Sequence, residues 1–198
     1  MALNWERWIR RDFVAWAAVL LLAGWLAFGG LATRDITRKA EVRCAETARE
    51  MLISGDWVLP RLSGEPRLEK PPLMYWLMAL ASLPGGEMTE ATARLPVVLS
   101  GLGTVLVVLA WGTHIGGRRA GLFAALMLAT MPAFFIKGHH AEVEMTLTFF
   151  VTLSLWLFAR RWEGRSRSPF ELTLAFASLA LAFLTKGPPA LIFPIATF

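Results

Sequence analysis

Long runs of apolar residues, with the charges confined to the gaps between them, dominate this sequence. The first run extends from Phe13 to Ala32 and contains no charged residue. Further apolar runs cover about 95–115, 120–136, 145–159 and 170–184, and another begins near Pro188. A helix needs about 20 residues to cross a bilayer. We therefore predict an all-α membrane protein built as a polytopic bundle of transmembrane helices.

The composition excludes other classes of protein. The chain has 198 residues, of which 56% are hydrophobic and 18% charged, whereas a soluble domain has about 25% charged residues. A net charge of +5 raises nucleic acid as a partner, but the basic residues are split into short clusters between apolar runs. We expect a membrane and no nucleic acid. Cys44 is the single cysteine, so an intramolecular disulfide framework is excluded.

The basic clusters predict an orientation in the membrane. Alternation of the spans places three clusters on one side, namely Arg7, Arg10, Arg11, Arg118, Arg119, Arg160, Arg161, Arg165 and Arg167. The short loops on the other side hold only Lys137 and Lys186. The positive-inside rule then puts the N-terminus in the cytoplasm and residues 33–94 in the periplasm. Phe13–Ala32 is too long for the core of a signal peptide, so we expect a retained span.

The loop of residues 33–94 is where we expect the site, because most connections have only about 4–6 residues. Glu41–Ile53 has the apolar spacing of an amphipathic helix, which Gly55 is suited to end. Beyond it, Pro60 and Pro66 exclude a continuous helix. Pro71–Leu83 is apolar but too short to span, so we predict a re-entrant or interfacial helix.

An acid and a base stand side by side at the end of this loop. Glu69 and Lys70 directly precede two prolines, which favour an extended backbone. A lysine fixed at the membrane interface is well placed to meet a lipid phosphate, and a fixed carboxylate to hold a cation or a sugar hydroxyl. The alternative is a surface ion pair, worth about 0–1 kcal/mol. Tyr75 and Trp76 suit the aromatic belt at the interface.

A second polar group follows the third apolar run. His139, His140, Glu142 and Glu144 lie within six residues and offer imidazole and carboxylate ligands for a metal. No cysteine lies nearby, which speaks against structural zinc, and a pair of solvated interfacial histidines is the alternative. Glu142 and Glu144 are two positions apart, so on a helix they point apart and do not share a ligand.

The motifs of the loop resemble those of a known family, the polyprenyl-phosphate-dependent glycosyltransferases of the GT-C fold. This family includes the lipid A aminoarabinose transferase and the protein O-mannosyltransferases. The resemblance is carried by Ala45–Trp57, Pro60, Gly64, Glu69–Leu73, Ala93–Pro96 and Thr185–Pro188. It implies transfer of a sugar from a polyprenyl-phosphate carrier to a lipid or protein acceptor at the periplasmic face of a bacterial inner membrane.

The resemblance also implies roles for individual residues. The family carries an acidic pair just before the loop helix as its catalytic acid, but here Ala40 occupies the first position and Glu41 the second. A second acid matches Glu144, where the family usually has aspartate. Lys70 would contact the phosphate of the carrier. Glu69 would bind the substrate or a divalent cation.

Arg43 and Tyr75 complete the predicted substrate contacts. We expect residues 1–198 to form one transmembrane domain, the N-terminal part of a larger bundle, because members of the family have many more spans. Ala40 and the short chain keep an alternative open, a truncated and non-catalytic protein that binds lipid-linked sugar or assists another enzyme. A small transporter is a third interpretation, which the near absence of charge within the spans disfavours.

Overall fold

The chain forms a bundle of helices, and its computed structural model describes residues 16–17, 19, 21–25, 28–32, 34–165 and 168–197. The helices are α1 (Lys39–Ser54), α2 (Leu73–Ser82), α3 (Glu90–Thr130), α4 (Pro132–Gly138), α5 (Glu144–Trp162), α6 (Pro169–Lys186) and α7 (Pro189–Thr197). Two short antiparallel strands, β1 (Arg61–Leu62) and β2 (Glu65–Pro66), stand between α1 and α2. The predicted loop helices are thereby confirmed as α1 and α2.

The ends of α1 and of the strand pair follow from local chemistry. Gly55 adopts φ 69° and its N–H donates to the carbonyl of Met51, which is the left-handed cap that the sequence predicted. Ser63 and Gly64 both have positive φ, as the two-residue turn of a tight hairpin requires. The carboxylate of Glu50 accepts hydrogen bonds from both of their N–H groups. The hairpin is therefore fastened to α1.

Helix α3 is a helical hairpin, because the chain reverses at Gly117 (φ 79°, ψ 177°), a backbone conformation that favours glycine. Gly112 and Gly121 allow the two limbs to touch. A Cβ on Gly112 would lie 2.9 Å from the Cα of Gly121. The apolar runs 95–115 and 120–136 supply the two limbs, and the small residues around the turn let them pack tightly.

One predicted span is wrong in its extent. The run 120–136 is interrupted at Met131, whose extended backbone (φ −67°, ψ 123°) separates α3 from the short helix α4. Pro132 is the cause, since a proline disfavours the helical conformation in the residue before it. At the other end α3 begins before the predicted run, at Glu90. There Thr89 and Thr92 exchange side-chain and backbone hydrogen bonds in a capping box.

Helices α5 and α6 pack side by side and match the runs predicted over 145–159 and 170–184. The hydroxyl of Ser154 donates to the carbonyl of Ala175 across their contact, over 3.0 Å. Phe158 and Phe176 meet edge to face at 5.1 Å between ring centroids. Within the part of the chain that the structure describes, α3 and α6 are long and apolar enough to cross a membrane.

The bundle has two different ends. We call the end that carries α1, the strands, α2 and residues 139–143 the loop end, and the opposite end, at residues 114–119, 160–165 and 168–171, the turn end. At the turn end, Arg160 pairs with Glu171 over 3.1 Å and Arg165 donates to the carbonyl of His114 over 3.4 Å. The basic residues 118, 119, 160, 161 and 165 thus gather at one end, as alternating spans require. Arg7, Arg10, Arg11 and Arg167 lie outside the described residues.

Replacing Gly121 by alanine should open the hairpin of α3. The new Cβ would lie 2.5 Å from the carbonyl oxygen of Leu109, which is backbone and has little room to move. We expect a loss of about 1–3 kcal/mol of stability, the usual cost of overpacking, seen as a lower Tm in detergent. Gly24→Ala is the control, because no atom lies within 4 Å of its added Cβ. Equal Tm values for the two variants would contradict the packing described.

Candidate active site

A buried ion pair joins the loop to the bundle. Glu41 and Arg94 are 2% and 3% exposed, and the Nε of Arg94 donates to Oε1 of Glu41 over 3.3 Å. The other guanidinium N–H groups donate to backbone carbonyls of the chain leading into α1, those of Leu31, Arg34 and Asp35. The same oxygen of Glu41 accepts the N–H of Ala141 over 2.8 Å. One carboxylate therefore connects α1, α3 and the segment before α5.

This position limits what Glu41 can do. A buried arginine left without its carboxylate is costly, so the carboxylate of Glu41 is needed to compensate the charge of Arg94. Its role as the catalytic acid stays a prediction. Arg94 could have been noticed in the sequence, because a charged residue at the start of an apolar span needs a partner. Its partner Glu41 lies 53 positions away, and no local sequence pattern links the two residues.

The ring nitrogens of the two histidines contact backbone carbonyl groups. His139 is 6% exposed and its two ring nitrogens lie 2.8 Å from the carbonyl oxygen of Phe135 and 3.1 Å from that of Gly29. His140 is 8% exposed and its Nδ1 contacts the carbonyl oxygen of Ile136. The prediction of solvated interfacial histidines is therefore wrong. Among the residues that the structure describes, no group of three or more His, Cys, Asp or Glu is arranged to hold a metal.

A second ion pair lies at the loop end, between the start of α5 and the end of α6. The Nζ of Lys186 donates to Oε1 of Glu144 over 3.1 Å. The other oxygen, Oε2, is buried and has no hydrogen-bond partner among the residues that the structure describes. The Glu69–Pro72 segment reaches the same place, because a Cβ on Gly187 would lie 4.0 Å from Cγ of Pro71. The structure thus brings Lys70, Glu144 and Lys186 to one end of the bundle.

Lys70 itself is half-buried and makes no ion pair or hydrogen bond with any described residue. Beneath this cluster lies the thiol of Cys44, which is fully buried. Burial raises the pKa of Cys44, while the charges of Lys70 and Arg67 lower it and those of Glu142 and Glu144 raise it. Four charged groups from three parts of the chain therefore lie within electrostatic range of one buried atom.

Arg67 is a site residue that sequence reasoning missed. It is 6% exposed, and its guanidinium donates to the carbonyl of Arg43 over 2.9 Å and to the hydroxyl of Thr47 over 3.3 Å. The same group lies 3.6 Å from Oε2 of Glu69 and 5.9 Å from the ring centroid of Tyr75. Arg67 therefore holds the Glu69–Lys70 segment against α1.

Tyr75 does not lie in an interfacial belt, and that prediction is wrong. The residue is fully buried in the core that α1 and α2 share, and burial raises its pKa to about 12, so the phenol stays neutral. Its hydroxyl has no hydrogen-bond partner within the described part of the chain. Trp76, its neighbour, donates its indole N–H to the carbonyl of Trp57 over 2.7 Å. Substrate contacts by Tyr75 and by Arg43 stay predictions.

The arrangement around Glu69 does not fit a metal ion. Its side chain is 66% exposed, its ionic neighbour is the cation Arg67, and it belongs to no cluster of metal-binding side chains among the described residues. Divalent cations prefer several oxygen ligands, usually carboxylates and carbonyls. Glu69 is therefore left as a polar group beside Lys70, and we derive no metal-dependent step.

Comparison with known proteins decides the family. Residues 69–198 match the model of the family described as dolichyl-phosphate-mannose-protein mannosyltransferase. The chain belongs to this family. The predicted resemblance to GT-C glycosyltransferases is thereby confirmed, and with it the all-α, polytopic membrane fold.

Individual relatives agree with this assignment. The chain is 31% identical over 189 residues to undecaprenyl phosphate-alpha-4-amino-4-deoxy-L-arabinose arabinosyl transferase 2 of Pseudomonas fluorescens, covering 91% of this chain and 32% of the relative. It is 37% identical to an uncharacterized protein of Aquifex aeolicus, covering 83% of this chain and 37% of the relative.

A solved structure shares the fold as well. The crystal structure of ArnT from Cupriavidus metallidurans bound to undecaprenyl phosphate has a TM-score of 0.81 and 29% identity, over 90% of this chain and 34% of that chain. The chain thus spans about a third of the length of these relatives. Its place as one part of a larger bundle stays a prediction.

The buried ion pair gives a direct stability prediction. Glu41→Gln keeps an oxygen for the N–H of Ala141 but leaves the charge of Arg94 buried without compensation. We expect Glu41→Gln to lower the free energy of unfolding by about 3–5 kcal/mol, measured as a fall in Tm in detergent.

The control is Glu46→Gln, which breaks an exposed ion pair with Arg49 on the same helix. If Glu41→Gln unfolds at the same temperature as Glu46→Gln, the pair does not hold the loop.

Proposed function

We propose that this chain forms the donor-binding part of an integral membrane glycosyltransferase that takes its sugar from a polyprenyl-phosphate carrier. The observation that carries the proposal is Lys70, a half-buried cation that pairs with no described residue, at the same end of the bundle as Lys186 and Glu144. A lysine in this state suits an anionic phosphate as a point charge. The neighbour from Cupriavidus metallidurans, solved with undecaprenyl phosphate, supports the same class of ligand.

The proposed reaction displaces the phosphate of the carrier from the sugar. The bond between the anomeric carbon and the phosphate oxygen breaks, and the negative charge that develops on the phosphate is stabilised by Lys70 and Lys186. The acceptor oxygen forms the new bond to that carbon. If the acceptor is a hydroxyl, its proton passes to Oε2 of Glu144, which has no other hydrogen-bond partner.

The remaining acids take supporting parts in this proposal. Glu41 acts as a positioning residue, because it anchors both α1 and the segment that leads to Glu144. Glu69, at the surface beside Lys70, offers a hydrogen-bond acceptor to the sugar. The acceptor that we propose is a lipid, as the resemblance to the lipid A aminoarabinose transferase implies.

A second candidate function is favoured by Ala40, where the resemblance predicts an acid. In that case the chain binds the lipid-linked sugar without transferring it. Both candidates place the loop end at the periplasmic face of a bacterial inner membrane and the turn end in the cytoplasm. They differ in transfer, not in donor binding.

Lys70→Gln tests the donor site. The neutral amide removes the charge of the side chain, so we expect undecaprenyl phosphate to bind to the purified protein at least about tenfold more weakly, since a hydrogen bond to a charged group is worth about 1.5–3 kcal/mol. Lys39→Gln, an exposed lysine of the same loop, is the matched control and should bind as the parent does. Unchanged binding by Lys70→Gln would overturn the assignment. Retained binding with no sugar transfer by the parent chain would favour the second candidate.

The orientation is tested by cysteine labelling in intact cells. Val58, at the loop end, is 86% exposed, and Glu163 lies exposed at the turn end. We expect Val58→Cys to react with an impermeant maleimide from outside, and Glu163→Cys only after the membrane is opened. The buried Cys44 serves as the unlabelled background. The reverse pattern would overturn the proposed orientation.

A further inference from the structure

A second group of charges at the loop end is formed by Arg38, Lys137 and Glu142. The Nζ of Lys137 lies 3.2 Å from Oε2 of Glu142, and a terminal nitrogen of Arg38 lies 3.8 Å from Oε1. The two cationic side chains are 52% and 44% exposed, whereas that of Glu142 is only 11% exposed. Two cations thus face one largely covered carboxylate, and one positive charge is left uncompensated.

The donors of Arg38 are unused. At 3.8 Å its contact with Glu142 is too long for a hydrogen bond, and the side chain makes no hydrogen bond with any residue that the structure describes. The acids around it are engaged elsewhere, Glu41 with Arg94 and Glu144 with Lys186. A half-exposed guanidinium with a free planar face of N–H donors matches a phosphate group in shape and in charge.

The surface beside Lys137 is apolar. Met131, Phe135 and Ile136, on or directly before the same short helix α4, are 53%, 39% and 49% exposed. A ligand that reaches Lys137 with its phosphate therefore has large hydrophobic side chains beside it. This combination matches an amphiphile, in which an anionic headgroup is joined to hydrocarbon chains.

We propose that Arg38 and Lys137 form a binding site for the phosphate monoester headgroup of a second lipid, and that Glu142 is the internal anion that this phosphate displaces. Lys137 also lies close enough to Glu144 to act on its charge. That this lipid is the acceptor rests on the proposed function, but the site itself does not.

The test measures lipid binding to the purified full chain in a neutral detergent, by calorimetric titration with short-chain phosphatidic acid. We expect Arg38→Gln and Lys137→Gln each to weaken binding about fivefold, the value of one exposed ion pair. Glu142→Gln should tighten it, because the competing internal anion is gone. Arg49→Gln is the matched control, an exposed arginine of α1 on an ion pair outside this group. Arg38→Lys keeps the charge, and its affinity for phosphatidic acid should lie between those of the parent and of Arg38→Gln.

Two further titrations distinguish the sources of phosphate and the two sites. Inorganic phosphate should bind far more weakly than phosphatidic acid, and equal affinity would overturn the assignment to a lipid. Undecaprenyl phosphate has the same headgroup chemistry, so the two sites are distinguished by which substitution costs more: undecaprenyl phosphate should lose more affinity with Lys70→Gln than with Arg38→Gln or Lys137→Gln, and phosphatidic acid the reverse. If only the Lys70 result fails, the proposed donor site is wrong and the second site stands.

The sign of the Glu142→Gln effect separates the proposal from a purely structural salt bridge. If Glu142 only stabilised the fold through its ion pairs with Arg38 and Lys137, the Glu142→Gln substitution would lower Tm and weaken the binding of every ligand. Weaker binding of phosphatidic acid by Glu142→Gln, or unchanged binding by both cation variants, would overturn the proposal. A Tm for each variant shows that the comparison is made between folded proteins.

Discussion

The loop end depends on the buried pair of Glu41 and Arg94. Neither charge is stable in a dry interior alone, so each must find the other, and the remaining donors of the guanidinium must find carbonyls. Meeting these demands fixes the chain before α1, the first turn of α3 and the backbone at Ala141 in one arrangement. Glu142 and Glu144 come directly after Ala141 in the chain. The pair is therefore a structural precondition for the polar surface on which both proposals rest.

Much of the fold follows from patterns that extend over one element. The apolar runs predicted the spans, the amphipathic spacing predicted α1 within two residues, and the short apolar run Pro71–Leu83 predicted α2. These features were accessible because propensity and periodicity act between near neighbours. Pro132, which interrupts a run that is apolar throughout, shows how one backbone constraint overrides a continuous hydrophobic pattern.

Contacts between residues far apart in the sequence could not be predicted in the same way. Glu144 and Lys186 are 42 positions apart, and no local spacing links them. Arg67 lies in a segment of irregular sequence, and only the packing of the hairpin on α1 reveals that it is buried. The burial of Tyr75 has the same cause, because a helix as short as α2 does not cross the bilayer but packs beneath the loop that covers it.

The described cationic side chains differ in kind between the two ends of the bundle. The four lysines of the sequence, Lys39, Lys70, Lys137 and Lys186, are all at the loop end, whereas the described cations of the turn end are arginines. An arginine keeps its charge at any physiological pH and reacts little, whereas a lysine that loses its proton becomes a nucleophile. The side-chain amines of this chain are therefore exposed to the chemistry of a single compartment. A lysine-directed electrophile confined to that compartment would modify the face that carries both proposed phosphate sites and leave the lysine-free face unchanged.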